Sequence, residues 1–204
     1  MGRRSDHSRE EIQKMAIDAA SKIVETEGFQ ARTARKVASK IGYTVGTLYH
    51  VFRNFDDLVI HMNAQTIDEI VARIQKAVAK KRSPEGRIRA MAAVYVDFAT
   101  EHPDRWRVVF EHRAPPGVPT PELMGVRRDV VFEMVAENFR ELSPNHIPQE
   151  VAHSATALWS GIHGICILAL TGKLYLGGAF SMSKLVDTLI DSVLNEFRRT
   201  QSEG

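Results

Sequence analysis

A short stretch near the N-terminus combines residues that suit contact with DNA. Residues 34–52 read ARKVASKIGYTVGTLYHVF, which predicts a helix, a three-residue turn containing glycine, and a second helix. Gly42 is expected to end the first helix, and Thr44 to cap the second. The second helix is expected to expose five residues that can enter a major groove: Val45, Gly46, Thr47, Tyr49 and His50.

The charge distribution marks the same stretch. Residues 1–53 carry a net charge of +4, whereas residues 54–204 carry −2. Between residues 32 and 53 there is no acidic residue, and five basic residues stand there: Arg32, Arg35, Lys36, Lys40 and Arg53. A local basic patch suits an anionic partner, and nucleic acid is the commonest one; a solvated basic surface is the alternative.

Other kinds of chemistry find no support in the sequence. The 204 residues are 44% hydrophobic and 25% charged, which is ordinary for a globular protein. The single cysteine, Cys166, excludes an intramolecular disulfide and favours a reducing, cytoplasmic compartment. No HxxH or HExxH spacing, Walker loop, dinucleotide fingerprint or Ser-His-Asp order is present, so no metal, cofactor or enzymatic activity is predicted.

One segment is long enough to span a membrane. Residues 151–172 contain no Asp, Glu, Lys or Arg over 22 positions. His153 and His163 are among the polar residues within it, which favours a helix buried on most of its circumference. No membrane partner is therefore predicted.

Apolar residues recur at spacings of three and four throughout, which predicts an all-α chain of about nine helices. Ser8 and Glu11 form a capping-box pattern at the first helix, which Gly28 should end. The later helices are expected to start after Thr33, Thr44 and Asn54 (the last running to about Lys80), at Ser83-Pro84, His102-Pro103 and Thr120-Pro121, and to cover residues 151–172 and about 183–199.

Residues 12–58 resemble the N-terminal domain of TetR-family transcriptional regulators. The matching residues are Ala19, Ile23, Glu27-Gly28-Phe29, Thr33, Val37-Ala38, residues 42–52 and Leu58. The resemblance implies a DNA-binding domain at 1–54, a three-helix helix-turn-helix domain, and a larger helical bundle at 55–204 for ligand binding and dimerisation. It also implies a ligand-responsive regulator, most often a repressor. A DNA-binding architectural protein without small-molecule control is the alternative.

The resemblance assigns DNA contacts to residues on and beside the two helices. Many family members carry a phosphate-binding lysine where this chain has Phe55, so that anchor is missing or is replaced by Arg53. The predicted DNA-contacting residues are Thr33, Arg35, Lys36, Thr44, Val45, Gly46, Thr47, Tyr49, His50 and Arg53.

Residues 159–164, Trp-Ser-Gly-Ile-His-Gly, resemble the tryptophan-histidine-glycine signature of one class of TetR-family ligand-binding domains. Trp159 and His163 are four residues apart and share a helix face. They predict a pocket for a small apolar effector, although a plain packed core is the alternative. The predicted pocket residues are Met91, Tyr95, Trp106, Phe110, Trp159 and His163.

A homodimer on a palindromic operator is predicted, because one short recognition helix reads only a few base pairs. The last two helices offer small residues and a wide apolar stripe for a four-helix interface. The predicted interface residues are Gly161, Gly164, Leu185, Leu189, Val193 and Phe197.

Overall fold

The computed structural model describes residues 7–113, 122–174 and 181–200. Within these ranges the regular elements are all helical, so the predicted all-α fold is confirmed. The described residues form one 3-10 helix (Phe29–Ala31) and nine α-helices: α1 (Arg9–Glu27), α2 (Ala34–Lys40), α3 (Val45–Val51), α4 (Phe55–Val78), α5 (Pro84–Glu101), α6 (Pro103–Glu111), α7 (Glu122–Leu142), α8 (Pro148–Leu170) and α9 (Met182–Thr200).

The ends of α1 follow from its capping residues. The Ser8 hydroxyl accepts a hydrogen bond from the Glu11 N–H at 3.2 Å, and the Ser8 N–H donates to the Glu11 carboxylate at 2.6 Å. Gly28 ends the helix with φ 85°, a conformation that glycine adopts at little cost. The 3-10 helix that follows was not predicted, because three residues are too few to show a periodic pattern.

Some other boundaries differ by a few residues from those predicted. Helix α4 ends at Val78 rather than Lys80, and α8 already begins at Pro148, where proline's missing N–H costs nothing. The predicted helix start at Thr120-Pro121 lies outside the described residues.

The chain divides into two compact units. Unit 1 consists of the described residues in 1–68 and 102–125, and unit 2 of those in 69–101 and 126–204. Helix α4 begins in unit 1 and ends in unit 2, whereas α6 belongs to unit 1 although it follows α5 in the chain. The predicted functional division between residues 54 and 55 stays a prediction, and the packing does not divide the chain there.

Unit 1 packs α1, α2, α3, α6 and the first part of α4 around one core. Burying one Val, Leu, Ile, Phe or Met side chain in such a core stabilises the fold by about 1.5–3 kcal/mol. The buried residues come from all five helices and include Ala16, Ile23, Val24, Val37, Ala38, Leu48, Phe52, Leu58, Met62 and Val108.

Unit 2 packs α5, α7, α8, α9 and the second part of α4. Its buried residues include Phe98, Phe139, Leu158, Ile190, Leu194 and Phe197. At the surface, the Arg89 guanidinium of α5 pairs with the carboxylates of Asp187 and Asp191 on α9 and of Glu85 on its own helix. Ion pairs with α5 therefore occupy one flank of α9.

Helix α8 is long and apolar enough to cross a membrane by length and composition. It also buries one stripe in unit 2, at a spacing typical of a core helix: Val151, Ala155, Leu158, Ile162 and Cys166. Burial raises the pKa of the Cys166 thiol to about 11, so the thiol stays protonated at neutral pH.

Candidate nucleic-acid interface and C-terminal cavity

Two threonine caps and one glycine fix the orientation of α2 and α3. The Thr33 hydroxyl accepts a hydrogen bond from the Lys36 N–H, and the Thr44 hydroxyl accepts one from the Thr47 N–H, both at 3.2 Å. Gly42 has φ 76°, which lets the chain turn sharply between the helices. Because the caps hold both helix starts, the outward faces of α2 and α3 are fixed relative to the core of unit 1.

The exposed face of α3 carries the predicted recognition residues. Tyr49 is 49% exposed, a high value for an aromatic residue, and Gly46 and His50 are exposed beside it. Val45 and Thr47 are half-buried, and the Thr47 hydroxyl lies 3.0 Å from that of Thr44. The phenol and imidazole rings therefore project from α3, whereas Thr47 is shared between the helix cap and the surface.

The five basic residues of this stretch do not all face outward. Arg35, Lys40 and Arg53 are exposed, but Arg32 is half-buried, with its guanidinium 3.6 Å from the centre of the Phe29 ring. Burial lowers the pKa of Arg32, although arginine still remains charged at neutral pH. Arg32 thus serves the packing of unit 1 and adds little charge to the DNA-facing surface.

Lys36 is partly neutralised by an ion pair with Glu27, which the acid-free stretch did not predict. Glu27 ends α1 and lies nine residues before Lys36, outside the basic segment. A groove on this surface combines the two residues with Thr33, Arg35, Ser39, Lys40 and Ile23. Binding a phosphate here would require Lys36 to be shared with Glu27.

Phe55 is half-buried and packs against the core of unit 1, where a lysine ammonium would be costly. The first turn of α4 beside it is acidic. The Asp57 carboxylate accepts the Arg53 N–H at 2.9 Å, and the Asp57 N–H donates to Asn54 at 2.8 Å. The start of α4 therefore offers no cation of its own, and Arg53 is the exposed base beside it.

Sequence reasoning missed two residues that precede or begin α1 and touch the helix-turn-helix. His7 Nδ1 lies 2.8 Å from the Tyr43 hydroxyl, and the Arg9 guanidinium donates to the Val51 carbonyl at 3.3 Å. Contacts between residues so far apart in the chain leave no periodic or spacing signal.

Polar contacts buried in unit 1 were also missed. His112 Nε2, at the end of α6, lies 3.4 Å from an Asp56 carboxylate oxygen. Arg105 of α6 reaches the Glu25 carboxylate of α1 at 3.3 Å and the Thr66 hydroxyl at 3.4 Å. Burial lowers the pKa of His112, and the Asp56 charge opposes that effect, so neutral His112 is favoured at pH 7.

Unit 2 holds an apolar cavity of about 40 Å³. The ten lining residues come from α4, α5, α7 and α8, and none of them is charged: Ile74, Ile88, Met91, Ala92, Tyr95, Val131, Val135, Leu158, Trp159 and Ile162. Three of the predicted pocket residues, Met91, Tyr95 and Trp159, are therefore brought together.

His163 adjoins this cavity through two aromatic neighbours. Its Nδ1 lies 2.8 Å from the Tyr95 hydroxyl, and its ring stacks on Trp159 with centroids 5.1 Å apart. Phe132 of α7 meets the Trp159 ring edge-on at 5.4 Å. Burial lowers the pKa of His163, which keeps the imidazole neutral at pH 7.

The other two predicted pocket residues lie elsewhere. Trp106 and Phe110 belong to α6 in unit 1, where Trp106 is fully buried and their rings lie 5.1 Å apart. All the residues lining the cavity belong to unit 2. Trp106 faces a core, but helical spacing did not reveal which core, and Phe110 is 37% exposed.

Residues of the predicted dimer interface differ in exposure. Leu185, Leu189 and Val193 form a half-buried stripe on α9, on the flank away from the acidic residues that pair with Arg89. Phe197 is only 3% exposed and is packed within its own chain between His146 and Phe139. The structure therefore packs most of the Phe197 ring in the core of unit 2, and its place in a dimer interface stays a prediction.

Helices α8 and α9 approach closely at Gly161. A Cβ added there would lie 2.5 Å from a methyl carbon of Leu189, whereas one added at Gly164 would meet no atom within 4 Å. An open groove lies between the N-terminal half of α8 and the C-terminal half of α9. It is lined by His146, Gln149, Glu150, His153, Ser154, Ala157, Ser192, Val193, Glu196 and Phe197.

A helix-turn-helix with an exposed aromatic and basic face, carried by an all-helical chain that has a separate helical unit, defines a class of DNA-binding regulators. Residues 16–62 match the family model for bacterial regulatory proteins of the tetR family. Residues 88–193 match the tetracyclin repressor-like C-terminal domain. The chain therefore belongs to the TetR family, and it is a DNA-binding transcriptional regulator rather than an enzyme.

Known proteins are similar to this chain in sequence or in fold. The chain is 27% identical to an uncharacterised HTH-type transcriptional regulator of Mycobacterium tuberculosis over 166 residues, which are 81% of this chain and 71% of that protein. A protein of unknown function from Rhodococcus sp. RHA1 has the same fold, with a TM-score of 0.76, 18% identity and coverage of 96% of this chain and 98% of that one.

AibR, whose structure was solved in complex with isovaleryl coenzyme A and operator DNA, is also similar. Its TM-score is 0.61 at 16% identity, over 89% of this chain and 97% of that one. The likeness shows a shared fold. The finer resemblance of residues 159–164 to the tryptophan-histidine-glycine class stays a prediction.

Proposed function

We propose that this regulator is a cytoplasmic homodimeric repressor that leaves its palindromic operator when a small, uncharged apolar molecule binds unit 2. One pairing of features carries the proposal: an exposed recognition face on α3 and a separate apolar cavity, in a chain of the TetR family. Helix α4 contributes to both units, since Phe55 packs in the core of unit 1 and Ile74 lines the cavity.

DNA binding is proposed to use the predicted residues with unequal roles. Tyr49 and His50 project from α3 toward bases, and Arg35 is exposed on α2 for a base or a phosphate. Lys36 is the weaker phosphate ligand, because Glu27 competes for its ammonium group. Arg53 supplies the charge that Phe55 does not.

The proposed dimer uses α8 and α9 from each chain. The apolar stripe on α9 and the adjoining groove beside α8 combine apolar area with small exposed residues, as a two-fold four-helix interface requires. Leu185, Leu189 and Val193 are the contacts we favour on α9, with Gly164 on α8. Two recognition helices about 34–36 Å apart would then read successive major grooves.

The size and chemistry of the cavity restrict the effector. Ligand pockets usually measure about 300–1,000 Å³, so a cavity of about 40 Å³ has to open before it can hold such a molecule. Its lining contains no charged side chain, and His163 beside it is neutral. A charged effector would pay a desolvation penalty that nothing in the lining offsets. An uncharged apolar molecule with at most one hydrogen-bonding group, directed to Tyr95 or His163, fits best.

The small cavity also favours a second candidate function. If the cavity never opens, the chain would be a DNA-binding protein without small-molecule control, the architectural alternative. Apolar cavities this small are ordinary packing defects in many proteins.

One experiment tests both readings. The purified chain is used to select duplexes from a random-sequence library, and the selected duplex is titrated at several salt concentrations. We expect a palindrome and an affinity that falls steeply with salt. An apolar compound library is then screened for release of that duplex together with a change in Trp fluorescence. Selection without any releasing compound would favour the architectural protein; no selected sequence would contradict the regulator.

A further inference from the structure

The start of α1 lies against both ends of α3. The Arg9 guanidinium donates to the carbonyl of Val51, the last residue of α3, at 3.3 Å. His7 Nδ1 lies 2.8 Å from the hydroxyl of Tyr43, which precedes Thr44, the residue that caps α3. Neither His7 nor Arg9 is among the residues predicted to contact DNA, yet both border the helix that carries the recognition residues.

A group of basic side chains lies at the opposite end of α1. Lys36 forms an ion pair with Glu27, the last residue of α1, in the groove that also contains Arg35 and Lys40. Arg9 is the first of the 19 residues of the same helix. At roughly 1.5 Å per residue, Arg9 and Glu27 are about 27 Å apart along the helix axis. The helix-turn-helix therefore runs from the C-terminal end of α1, beside Lys36, back to its N-terminal end, beside Arg9.

This separation suits the two sides of a major groove. The major groove of DNA is about 12 Å wide and is bordered by the phosphates of both strands. Cations about 27 Å apart cannot share one phosphate, but they are far enough apart to straddle such a groove. When α3 enters the groove, the cations beside Lys36 would meet one strand, and Arg9 would meet the other.

Arg9 can donate to a phosphate without giving up its contact with Val51. Its side chain is exposed, and a guanidinium has five N–H donors in a planar fork that matches phosphate oxygens. The bond to Val51 uses only one of its nitrogens. A guanidinium that is already held in place loses less side-chain entropy on binding DNA. Arg53, also exposed, follows Val51 closely in the chain, so two guanidinium groups belong to this end of α3.

A purely structural role for Arg9 is the alternative. Arginine near the C-terminal end of a helix commonly donates to the last carbonyls of that helix. The bond from Arg9 to Val51 is 3.3 Å long, beyond the range of about 2.7–3.2 Å for good N–H···O bonds. An exposed contact of that length contributes little to stability. Capping α3 is therefore a weak reason for an arginine at this position.

We propose that Arg9 is a DNA-phosphate ligand, which binds the strand across the major groove from Arg35 and Lys36. The bond to Val51 positions its guanidinium at the end of α3. This contact rests on the proposed role of α3 as the recognition helix, and it gives the helix-turn-helix a phosphate ligand on each side of the groove.

A scan of single phosphates tests the contact. Phosphates of the selected duplex are replaced one at a time by methylphosphonate, which carries no charge, and each duplex is titrated with the wild-type chain and with Arg9→Gln. At one position in each half-site, the replacement should weaken binding of the wild type by about 10-fold and leave binding of Arg9→Gln unchanged. At every other position, the two chains should lose affinity equally.

The salt dependence of binding provides a second readout. Each phosphate contact that is lost lowers the slope of log affinity against log salt by about 0.9, so Arg9→Gln should have a shallower slope. It should also weaken binding to the selected duplex and to an unrelated duplex alike. Arg9→Lys keeps the charge and should keep the wild-type slope. Lys14→Gln, an exposed position of the same helix, is the matched control and should behave almost as the wild type does.

Two results would overturn the contact. In the first, Arg9→Gln weakens binding to every substituted duplex by the same factor and keeps the wild-type salt slope, which makes Arg9 only a cap of α3. In the second, Arg9→Gln binds as tightly as the wild type. Thermal denaturation verifies folding, and the midpoint should stay within about 2 °C because Arg9 is exposed. A chain that selects no duplex would contradict the regulator itself, so the two failures are distinguishable.

Discussion

Side chains of the helix-turn-helix fall into those that build it and those left for a partner. Val37 and Leu48 are buried and hold α2 and α3 together, whereas Tyr49 and Arg35 are exposed. Substituting an exposed residue usually changes stability by no more than about 0.5 kcal/mol. The second pair therefore allows DNA binding to be separated from folding.

We predict that Tyr49→Ala and Arg35→Ala each lower affinity for the selected duplex by about 10-fold or more, since one good base contact is worth about 1–3 kcal/mol. The thermal midpoint should change by less than about 2 °C for either variant, as expected when little stability is lost. Fluorescence anisotropy and thermal denaturation provide the two readouts. Lys14→Ala, an exposed lysine of α1, is the control and should bind almost as the wild type does.

The burial of His112 and His163 makes the free energy of unfolding depend on pH. Burial lowers the pKa of His112 and of His163 in the folded state, so each is held neutral below its ordinary pKa of about 6.5. As the pH falls through about 6.5, the unfolded chain takes up protons that the folded chain resists. The free energy of unfolding must then decrease, and this contribution is fully present only above that pH.

We predict that His163→Gln weakens this dependence, because glutamine can still hydrogen-bond to the Tyr95 hydroxyl but does not titrate. Urea denaturation at pH 7.5 and pH 5.5 measures the loss of stability. The loss should be smaller in His163→Gln than in the wild type. Equal losses in the two chains would show that His163 does not contribute.

At the scale of the helix, α9 carries ion pairs on one flank and apolar residues on the other. One flank carries Asp187 and Asp191, which pair with Arg89, and the opposite flank carries the half-buried Leu185, Leu189 and Val193. Apolar residues placed on that second flank, beside an open groove, are what an interface between copies of the chain needs.

We predict that Val193→Arg converts the dimer to monomers, because an arginine at a two-fold interface brings an uncompensated charge from each chain. Light scattering at micromolar concentration should give twice the 22.9 kDa chain mass for the wild type and 22.9 kDa for the variant. Asn195→Arg, an exposed position away from the apolar flank, should remain dimeric. Circular dichroism verifies that both variants are folded, and a dimeric Val193→Arg would move the interface elsewhere.

The beginning and end of each helix were easier to predict from the sequence than the residues against which the helix packs. Ser8, Gly28, Thr33 and Thr44 act where they stand, so local chemistry was sufficient to predict the beginning or end of a helix.

The apolar periodicity of a helix does not indicate which residues of other helices it packs against. Trp106 was expected in the C-terminal pocket and packs in unit 1, and Phe197 was expected at an interface and stacks on His146. The acid-free stretch likewise could not reveal that Glu27, outside it, pairs with Lys36. These are tertiary contacts, which depend on how helices meet rather than on how each one forms.

At the scale of the molecule, α4 contributes residues to both units, the one that holds the helix-turn-helix and the one proposed to bind an effector. Its first residues pack in unit 1 and its Ile74 side chain lines the cavity of unit 2. A ligand changes DNA affinity only through its different affinity for the two conformations of the protein. A 100-fold release from DNA requires about 2.7 kcal/mol of such coupling, since each tenfold change is worth about 1.4 kcal/mol.

Filling the cavity should remove this coupling without touching the DNA-binding surface. Ala92 is buried and lines the cavity, so Ala92→Val places two methyl groups where the proposed effector would bind. We predict that this variant binds the selected duplex within about threefold of the wild type, because the recognition face is unchanged, but that a compound that releases the wild type no longer releases it. Ala93→Val, the same change at the exposed neighbouring position, is the control and should respond to the compound normally. Anisotropy with and without the compound measures both effects. If Ala92→Val were released as readily as the control, the effector would have to bind outside this cavity, and Ile74 could not be the residue through which α4 senses it.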